Sequence, residues 1–153
     1  NEVAEIVAIG SLKYSILHQS IGGDIIFDFE KSLSFEGDSG PYLQYSAIRA
    51  KSVLAKAGEQ GDFSEVPEVV SDFEKMLYRF PEVVAYSYQE LEPHHIATYL
   101  IELASSFNSF YAQNQIINKD DKYSPYYLAL TKSFLITMKN GLELLGIKIP
   151  EKM

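Results

Sequence analysis

Apolar residues recur at helical spacing along most of this chain. In the segment that begins at Pro41, apolar positions alternate steps of four and three residues, which places them in one stripe along a helix. The stripe consists of Leu43, Ala47, Ala50, Leu54 and Ala57. Similar patterns predict helices over residues 3–17, 67–80, 81–88, 93–117 and 124–146. The pattern therefore predicts an all-α helical bundle with short connections.

Two of these stripes extend to the ends of their predicted helices. The 67–80 helix places Val69, Phe73, Met76 and Phe80 on one side, and the 93–117 helix has a stripe that ends at Ile117. Residues 58–65 are polar and predict a loop. The segment 24–40 has no clear period, and its run 25–27 suits either a short extended piece or a buried loop.

Capping residues mark the helix ends. Proline is a preferred first helical residue, so Pro41 predicts a helix start with Asp38 or Ser39 near the N-cap. At the other end of the chain, Gly146 is a good C-terminal cap, and Ile147 follows it.

Size and composition indicate one globular domain. The chain has 153 residues, of which 46% are apolar and 22% charged. It contains no run of eighteen apolar residues and no signal-peptide pattern at its start, so we expect neither membrane insertion nor secretion. The absence of cysteine excludes disulfides and thiolate metal sites, and a reducing cytoplasm fits best.

The net charge of −8 argues against a protein that grips nucleic acid mainly through phosphates. RNA binding remains open, because unstacked bases can rest on aromatic side chains and the chain has eleven tyrosines and nine phenylalanines. The helix that begins at Pro41 offers such a surface. Tyr45, Arg49 and Lys56 lie about 200° from the apolar stripe and should point away from the core.

No catalytic or metal site is predicted. Residues 37–41 (GDSGP) resemble a serine-protease loop, but they lead into a helix and supply no orienting triad, so a capping role for Ser39 is the better account. His94 and His95 are adjacent and would point about 100° apart on a helix, which disfavours one shared ion. Paired carboxylates such as Asp120 and Asp121 have polar neighbours and suit a solvated surface.

Five stretches, in the same order along the chain, resemble arginyl-tRNA synthetases. They are 9–14 (IGSLKY), 37–49 (GDSGPYLQYSAIR), 79–84 (RFPEVV), 92–100 (EPHHIATYL) and 141–153 (GLELLGIKIPEKM), the last ending on the methionine typical of that family. The resemblance spans essentially the whole chain. It implies the helical anticodon-binding domain of a class I aminoacyl-tRNA synthetase over 34–153, preceded over 1–33 by the end of the catalytic domain and its connecting helix.

The resemblance also implies a set of tRNA-contacting residues. In family members the positions of Tyr45, Tyr111 and Met153 lie near the anticodon bases, and Arg49 and Gln115 complete the predicted set. Tyr42, Gln44 and Lys56 are predicted to support it, with Lys51 as a further candidate for a phosphate. Two positions depart from the family: Gln115 stands where some members have tryptophan, and Tyr127 where arginine is common.

The implied partners are the anticodon stem-loop of the arginine tRNA and the catalytic domain of the same polypeptide, in a monomer. The HIGH-like and KMSKS-like motifs of class I synthetases are absent from the sequence, so we expect no arginine activation by this piece of a longer arginine–tRNA ligase. The ATP and magnesium would then bind the missing catalytic half, and this piece would hold no cofactor. The alternative is a helical protein–protein interaction domain with no RNA role.

Overall fold

The computed structural model describes residues 2–25, 27–58 and 65–153. These ranges form seven helices and no strand, which confirms the all-α prediction. The helices are α1 (Glu2–Leu17), α2 (Phe29–Ser32), α3 (Gly40–Ala57), α4 (Asp72–Tyr78), α5 (Phe80–Glu90), α6 (His94–Gln113) and α7 (Ser124–Leu144). None of them is long and apolar enough to cross a bilayer.

Helix α3 lies at the centre of the bundle and packs against α1, α6 and α7. The predicted α3 stripe is confirmed: Leu43, Ala47 and Ala50 are fully buried, and the last two members of the stripe pack partly buried on the same core. Across from it, the stacked rings of Phe107 and Phe134 join α6 to α7 with centroids 4.0 Å apart. One contiguous core therefore holds the long helices in place.

Glycines allow α1 and α3 to approach closely. A Cβ added to Gly40 would lie 2.6 Å from the carbonyl oxygen of Gly10, so only a residue without a side chain fits at this contact. The first turn of α3 is thereby anchored on α1. Ser39 is its N-cap, with its hydroxyl accepting a hydrogen bond from the Tyr42 N–H at 3.2 Å, and Pro41 stands in the first turn, as predicted.

The end of α7 is also confirmed. Gly146 has φ 67°, a left-handed conformation that favours glycine. The N–H of Gly146 donates to the Glu143 carbonyl at 2.9 Å, and the N–H of Ile147 donates to the Leu142 carbonyl at 2.8 Å. These two bonds form a Schellman motif, with Ile147 buried behind the cap.

Two local predictions are wrong, and one of the two alternatives for residues 25–27 is excluded. Helix α4 begins at Asp72 and not at position 67, because Ser71 caps it by accepting from the Glu74 N–H, and Val69 is 80% exposed. Helix α6 ends at Gln113, so Ile117 lies beyond it and is partly exposed, whereas Ile116 is buried. Within 25–27, residues 25 and 27 are exposed, which excludes a buried loop, and residue 26 lies outside the described ranges.

Most of the predicted polar loop over 58–65 also lies outside the described ranges, which omit 59–64. The short helix α2 was not predicted. Its N-cap is Asp28, whose carboxylate accepts from the Lys31 N–H at 3.1 Å. The hydroxyl of Ser11 in α1 donates to the Ser32 carbonyl, which fastens α2 to the first helix.

Candidate nucleic-acid interface

Tyr45 and Arg49 lie one turn apart on the side of α3 that faces away from the core. The Tyr45 side chain is 38% exposed, so its ring is open to solvent, as its position about 200° from the stripe predicts. Phe35, from the loop before α3, meets the Tyr45 ring edge to face with centroids 6.4 Å apart. The ring is thus supported by Phe35 and remains partly exposed.

Helix α6 brings Tyr111 to the same place. The guanidinium carbon of Arg49 lies 4.8 Å from the Tyr45 ring centroid and 5.1 Å from that of Tyr111, so the cation sits against both rings. We call Phe35, Tyr45, Arg49 and Tyr111 the aromatic–arginine face. Tyr111 is 41% exposed, and its ring centroid lies 6.3 Å from that of the core residue Phe107. Its side chain therefore packs on the core and also forms part of the surface.

Asn108 fixes the arginine. Its side-chain oxygen accepts a hydrogen bond from Arg49 Nη1 at 2.6 Å, while its amide nitrogen donates to the Tyr42 hydroxyl and to Ser46 Oγ, both at 2.9 Å. The second guanidinium nitrogen of Arg49 donates to the Tyr45 hydroxyl at 3.2 Å. One amide therefore links α6 to three side chains of α3 and holds the guanidinium in a single orientation.

Sequence reasoning did not find Asn108 or Phe35. Asn108 stands three residues before Tyr111, which puts both on one side of α6, so helical spacing alone could have identified it. Phe35 belongs to an irregular loop, and no periodicity relates it to Tyr45. Tyr42 was predicted as a support of the site, and the structure connects it to Arg49 through Asn108.

Gln44 is not retained in the site. It is completely buried, and its amide nitrogen donates to the Lys148 carbonyl at 2.7 Å and to the Ile6 carbonyl at 3.3 Å. The side chain joins α1 and the C-terminal segment to α3 and has no open path to a bound tRNA. The reason is angular, because Gln44 follows Leu43 directly and lies about 100° from it, against α1 rather than toward solvent.

Gln115 is exposed but does not lie one turn above Tyr111. Helix α6 ends at Gln113, and Asn114 is extended, with φ −125° and ψ 135°. Asn114 also turns its side-chain amide back onto the Phe110 carbonyl at 2.8 Å, which occupies an acceptor at the helix end. Gln115 therefore lies in the following loop, outside the helix, although the sequence predicts a helix over 93–117 that includes it.

Tyr127, the second departure from the family pattern, packs as a structural residue. Its ring meets the Phe110 ring edge to face at 5.5 Å. Burial, then the nearby Asp121 carboxylate and Tyr123, raise the pKa of the Tyr127 hydroxyl above its ordinary value. The phenol therefore stays neutral and offers no positive charge where an arginine would.

The C-terminal segment folds back over the bundle. Ile147 and Pro150 are buried, and the Glu151 carboxylate pairs with Lys51 Nζ at 2.8 Å on α3. This pair lowers the pKa of the Glu151 carboxyl. Met153 is 40% exposed two residues further on, within about 7 Å of Glu151 along the chain. Lys56 is exposed near the end of α3.

The structure also shows where Ser39 and the two adjacent histidines lie. Ser39 is buried and caps α3. Glu92, His94 and His95 converge at the corner between α5 and α6, where one potential ligand atom from each lies within 4.8 Å of the other two. The angular argument against the histidine pair is wrong for this corner, because both side chains turn toward the carboxylate that precedes the helix.

Comparison with known families and structures agrees with this geometry. Residues 43–153 match the DALR anticodon binding domain family. The chain is 37% identical to the arginine–tRNA ligase of Thermococcus kodakarensis and 40% identical to that of Clostridium botulinum, aligned over 100% and 99% of its length. It spans only 26% and 28% of those proteins.

Comparison with solved structures leads to the same group of proteins. The arginyl-tRNA synthetase of Thermus thermophilus superposes with a TM-score of 0.89 at 35% identity, over 99% of this chain and 27% of that one. The match covers the helices that carry the aromatic–arginine face. The chain therefore belongs to the DALR anticodon binding domain family, in the form that arginyl-tRNA synthetases carry.

Proposed function

We propose that this chain binds the anticodon stem-loop of the arginine tRNA and that the aromatic–arginine face is where the unpaired bases rest. The observation that carries the proposal is the guanidinium of Arg49, held against two half-exposed tyrosine rings and oriented by Asn108. A nucleobase is flat and electron-rich, so it can stack on aromatic rings and form a cation–π contact with a fixed guanidinium.

Preorganisation is what distinguishes this face from an ordinary helix surface. A free arginine or tyrosine side chain loses rotamer freedom when it binds, which weakens binding. Here the hydrogen bond to Asn108 at 2.6 Å and the ring contacts restrict Arg49 before any ligand arrives. Tyr45 is likewise supported by Phe35. The entropy lost on binding RNA should therefore be small.

Two lysines of α3 are the proposed contacts to phosphates. Lys51 already pairs with Glu151, whereas Lys56 is exposed further along α3. With a net charge of −8, the chain disfavours a polyanion at long range. Binding should thus depend on stacking more than on charge. Met153 would add a thioether and a terminal carboxylate beside the bases, and Gln115 would contact the loop from the segment after α6.

The relatives are about four times longer than this chain, and we propose that a catalytic domain in the same polypeptide is its second partner. Helix α1 supports this: Ile9, Leu12 and Ile16 are 46%, 50% and 43% exposed, and they form an apolar stripe that the bundle leaves uncovered. In that arrangement the catalytic domain would bind ATP and magnesium and attach arginine, and this domain would select the tRNA in the cytoplasm.

The test is a titration of the chain with the stem-loop of the arginine tRNA. Base stacking is worth about 1–3 kcal/mol, so Tyr45→Ala should weaken binding about 5- to 150-fold. Tyr111→Ala and removal of Met153 should weaken it as well. Tyr88→Ala is the matched control, because Tyr88 is 78% exposed on α5 and lies outside the face. If Tyr45→Ala, Tyr111→Ala and the removal of Met153 all leave affinity unchanged, the assignment fails.

A further inference from the structure

The corner between α5 and α6 holds Glu92 in a fixed position. Leu91 ends α5 in the left-handed conformation, with φ 57°, which turns the chain sharply. The Glu92 N–H then donates to the Ser87 carbonyl at 3.1 Å, and the Ser87 hydroxyl donates to the Glu92 carbonyl at 2.8 Å. Both backbone groups of Glu92 are therefore bound, and its side chain leaves the corner in a defined direction.

Two imidazoles converge on that carboxylate. His94 Nδ1 lies 3.0 Å from Glu92 Oε2, and His95 Nε2 lies 3.6 Å from the same oxygen. The two rings are adjacent, with centroids 4.0 Å apart and planes inclined by 40°. His94 Nδ1 is buried, yet within the described residues it makes no aligned hydrogen bond. Glu92 Oε2 is therefore the polar group that this nitrogen faces in the cluster.

The three groups match the ligand set of a transition metal. Zinc takes imidazole nitrogens and carboxylate oxygens at about 2.0–2.2 Å in tetrahedral geometry, which puts neighbouring ligand atoms roughly 3.3 Å apart. The observed 3.0 and 3.6 Å bracket that spacing. Magnesium and calcium prefer all-oxygen sites, so two imidazoles select against them.

The surroundings provide room for a further ligand. A cavity of about 390 Å³ adjoins both histidines, and Glu82, Tyr86 and Glu102 contribute to its wall. Water in this cavity would complete the coordination, and the cavity wall carries the carboxylates of Glu82 and Glu102 together with the guanidinium of Arg79. The Tyr86 ring covers His95 at 4.7 Å.

We propose that Glu92, His94 and His95 form a binding site for one divalent transition-metal ion of the zinc type. The ion would brace the end of α5 against the start of α6. The site is separate from the aromatic–arginine face, since His94 and Tyr111 are seventeen residues apart on one helix, a rise of about 25 Å. Metal binding therefore needs no RNA, and its test does not depend on the tRNA proposal.

The experiment is a calorimetric titration of the 153-residue chain with ZnCl2 in the presence of millimolar Mg²⁺. We expect saturable binding of one ion per chain that magnesium does not displace. His94→Gln and His95→Gln should each weaken it at least tenfold. His18→Gln is the control: His18 is the remaining histidine, pairs with Asp38 at 2.8 Å and does not belong to the cluster, so its loss should leave binding unchanged.

A second measurement needs no substitution. In the imidazole nitrogen spectrum of the unaltered chain, Zn²⁺ should shift the resonances of His94 Nδ1 and His95 Nε2 and spare those of His18. A thermal shift should accompany it, with Zn²⁺ raising the melting temperature of the unaltered chain and not that of His94→Gln. Absence of saturable binding, or equal shifts at all three histidines, would overturn the site.

Discussion

At the scale of single residues, we expect the planar shape of the Arg49 guanidinium to matter more for packing and RNA binding than its positive charge. A guanidinium is planar and can lie against two rings while donating to Asn108, whereas an ammonium is a point charge on a flexible stem. We predict that Arg49→Lys destabilises the fold by about 1 kcal/mol and weakens binding of the arginine tRNA stem-loop about fivefold.

The reverse exchange on the same helix is the control for that prediction. Lys56→Arg keeps the charge and lies outside the aromatic–arginine face, so both urea unfolding and RNA titration should remain as in the unaltered chain. If Arg49→Lys reduces neither the free energy of unfolding nor the affinity for RNA, the positive charge alone explains the role of residue 49.

Tyr99 allows a prediction about pH. Burial raises its pKa to about 12, against a smaller opposing effect of Arg79, and its hydroxyl donates to the Met76 carbonyl at 2.9 Å. A tyrosine with a raised folded-state pKa stabilises the fold fully below about pH 10, the unfolded value, and loses that contribution as pH rises through 12. Stability should therefore fall across this window.

The variant Tyr99→Phe isolates that effect. At pH 7 it should cost about 1 kcal/mol, because the hydrogen bond to Met76 is lost. As pH rises from about 10 to 12 the cost should shrink, since phenylalanine has no proton to lose. Urea unfolding of Tyr99→Phe and of the unaltered chain at several pH values measures this cost. The control is Tyr88→Phe, at an exposed position, whose effect on the free energy of unfolding should not change with pH.

At the scale of helices, the start of α3 is the element on which the candidate site depends. Ser39 accepts from the Tyr42 N–H, and this cap sets the register that points Tyr45 and Arg49 outward. We predict that Ser39→Ala lowers the free energy of unfolding by about 1 kcal/mol, whereas Ser133→Ala, on the exposed side of α7, changes it little. Chemical unfolding of both variants measures this.

The contact between α1 and α3 supplies a second prediction. Because a Cβ at Gly40 would meet backbone atoms at 2.6 Å, Gly40→Ala must push the two helices apart and should cost about 1–3 kcal/mol. Gly23→Ala is the matched control: it adds the same methyl group in a loop, at ordinary contact distance from Ser20. Equal melting temperatures for the two variants would contradict the close approach.

Helix boundaries show why sequence patterns locate helices better than their ends. Val69 continues the apolar spacing of α4, and Ile117 that of α6, but each lies beyond its helix. In both cases a polar side chain, Ser71 or Asn114, binds a backbone group and ends the helix there. The apolar period carries no information about such a bond.

At the scale of the whole molecule, the negative net charge of this chain should limit how much its proposed binding of RNA, a polyanion, depends on electrostatic attraction. Its net charge is −8, and Lys51 is already paired. If stacking dominates, affinity for the tRNA stem-loop should fall only modestly with salt, with a slope of log K against log salt of about −1 to −3, set by one to three phosphate contacts. Titrations at several salt concentrations measure it.

The result also separates two classes of partner. No saturable binding of the stem-loop at any salt concentration would favour the alternative, in which the aromatic–arginine face binds another protein and not RNA. A slope much steeper than about −3 would point to a basic surface that is not apparent on this chain.

The sequence by itself determined the all-α class, the buried stripe of α3, the outward position of Tyr45 and Arg49, and the caps at Ser39 and Gly146. All of these follow from angles and bonds within one helix or its ends. Tertiary structure decided what no local rule contains: the burial of Gln44 against α1, the bond from Asn108 to Arg49, and the convergence of Glu92, His94 and His95. The physical reason is that these contacts join different helices or a tight corner, whose relative placement depends on how the whole core packs.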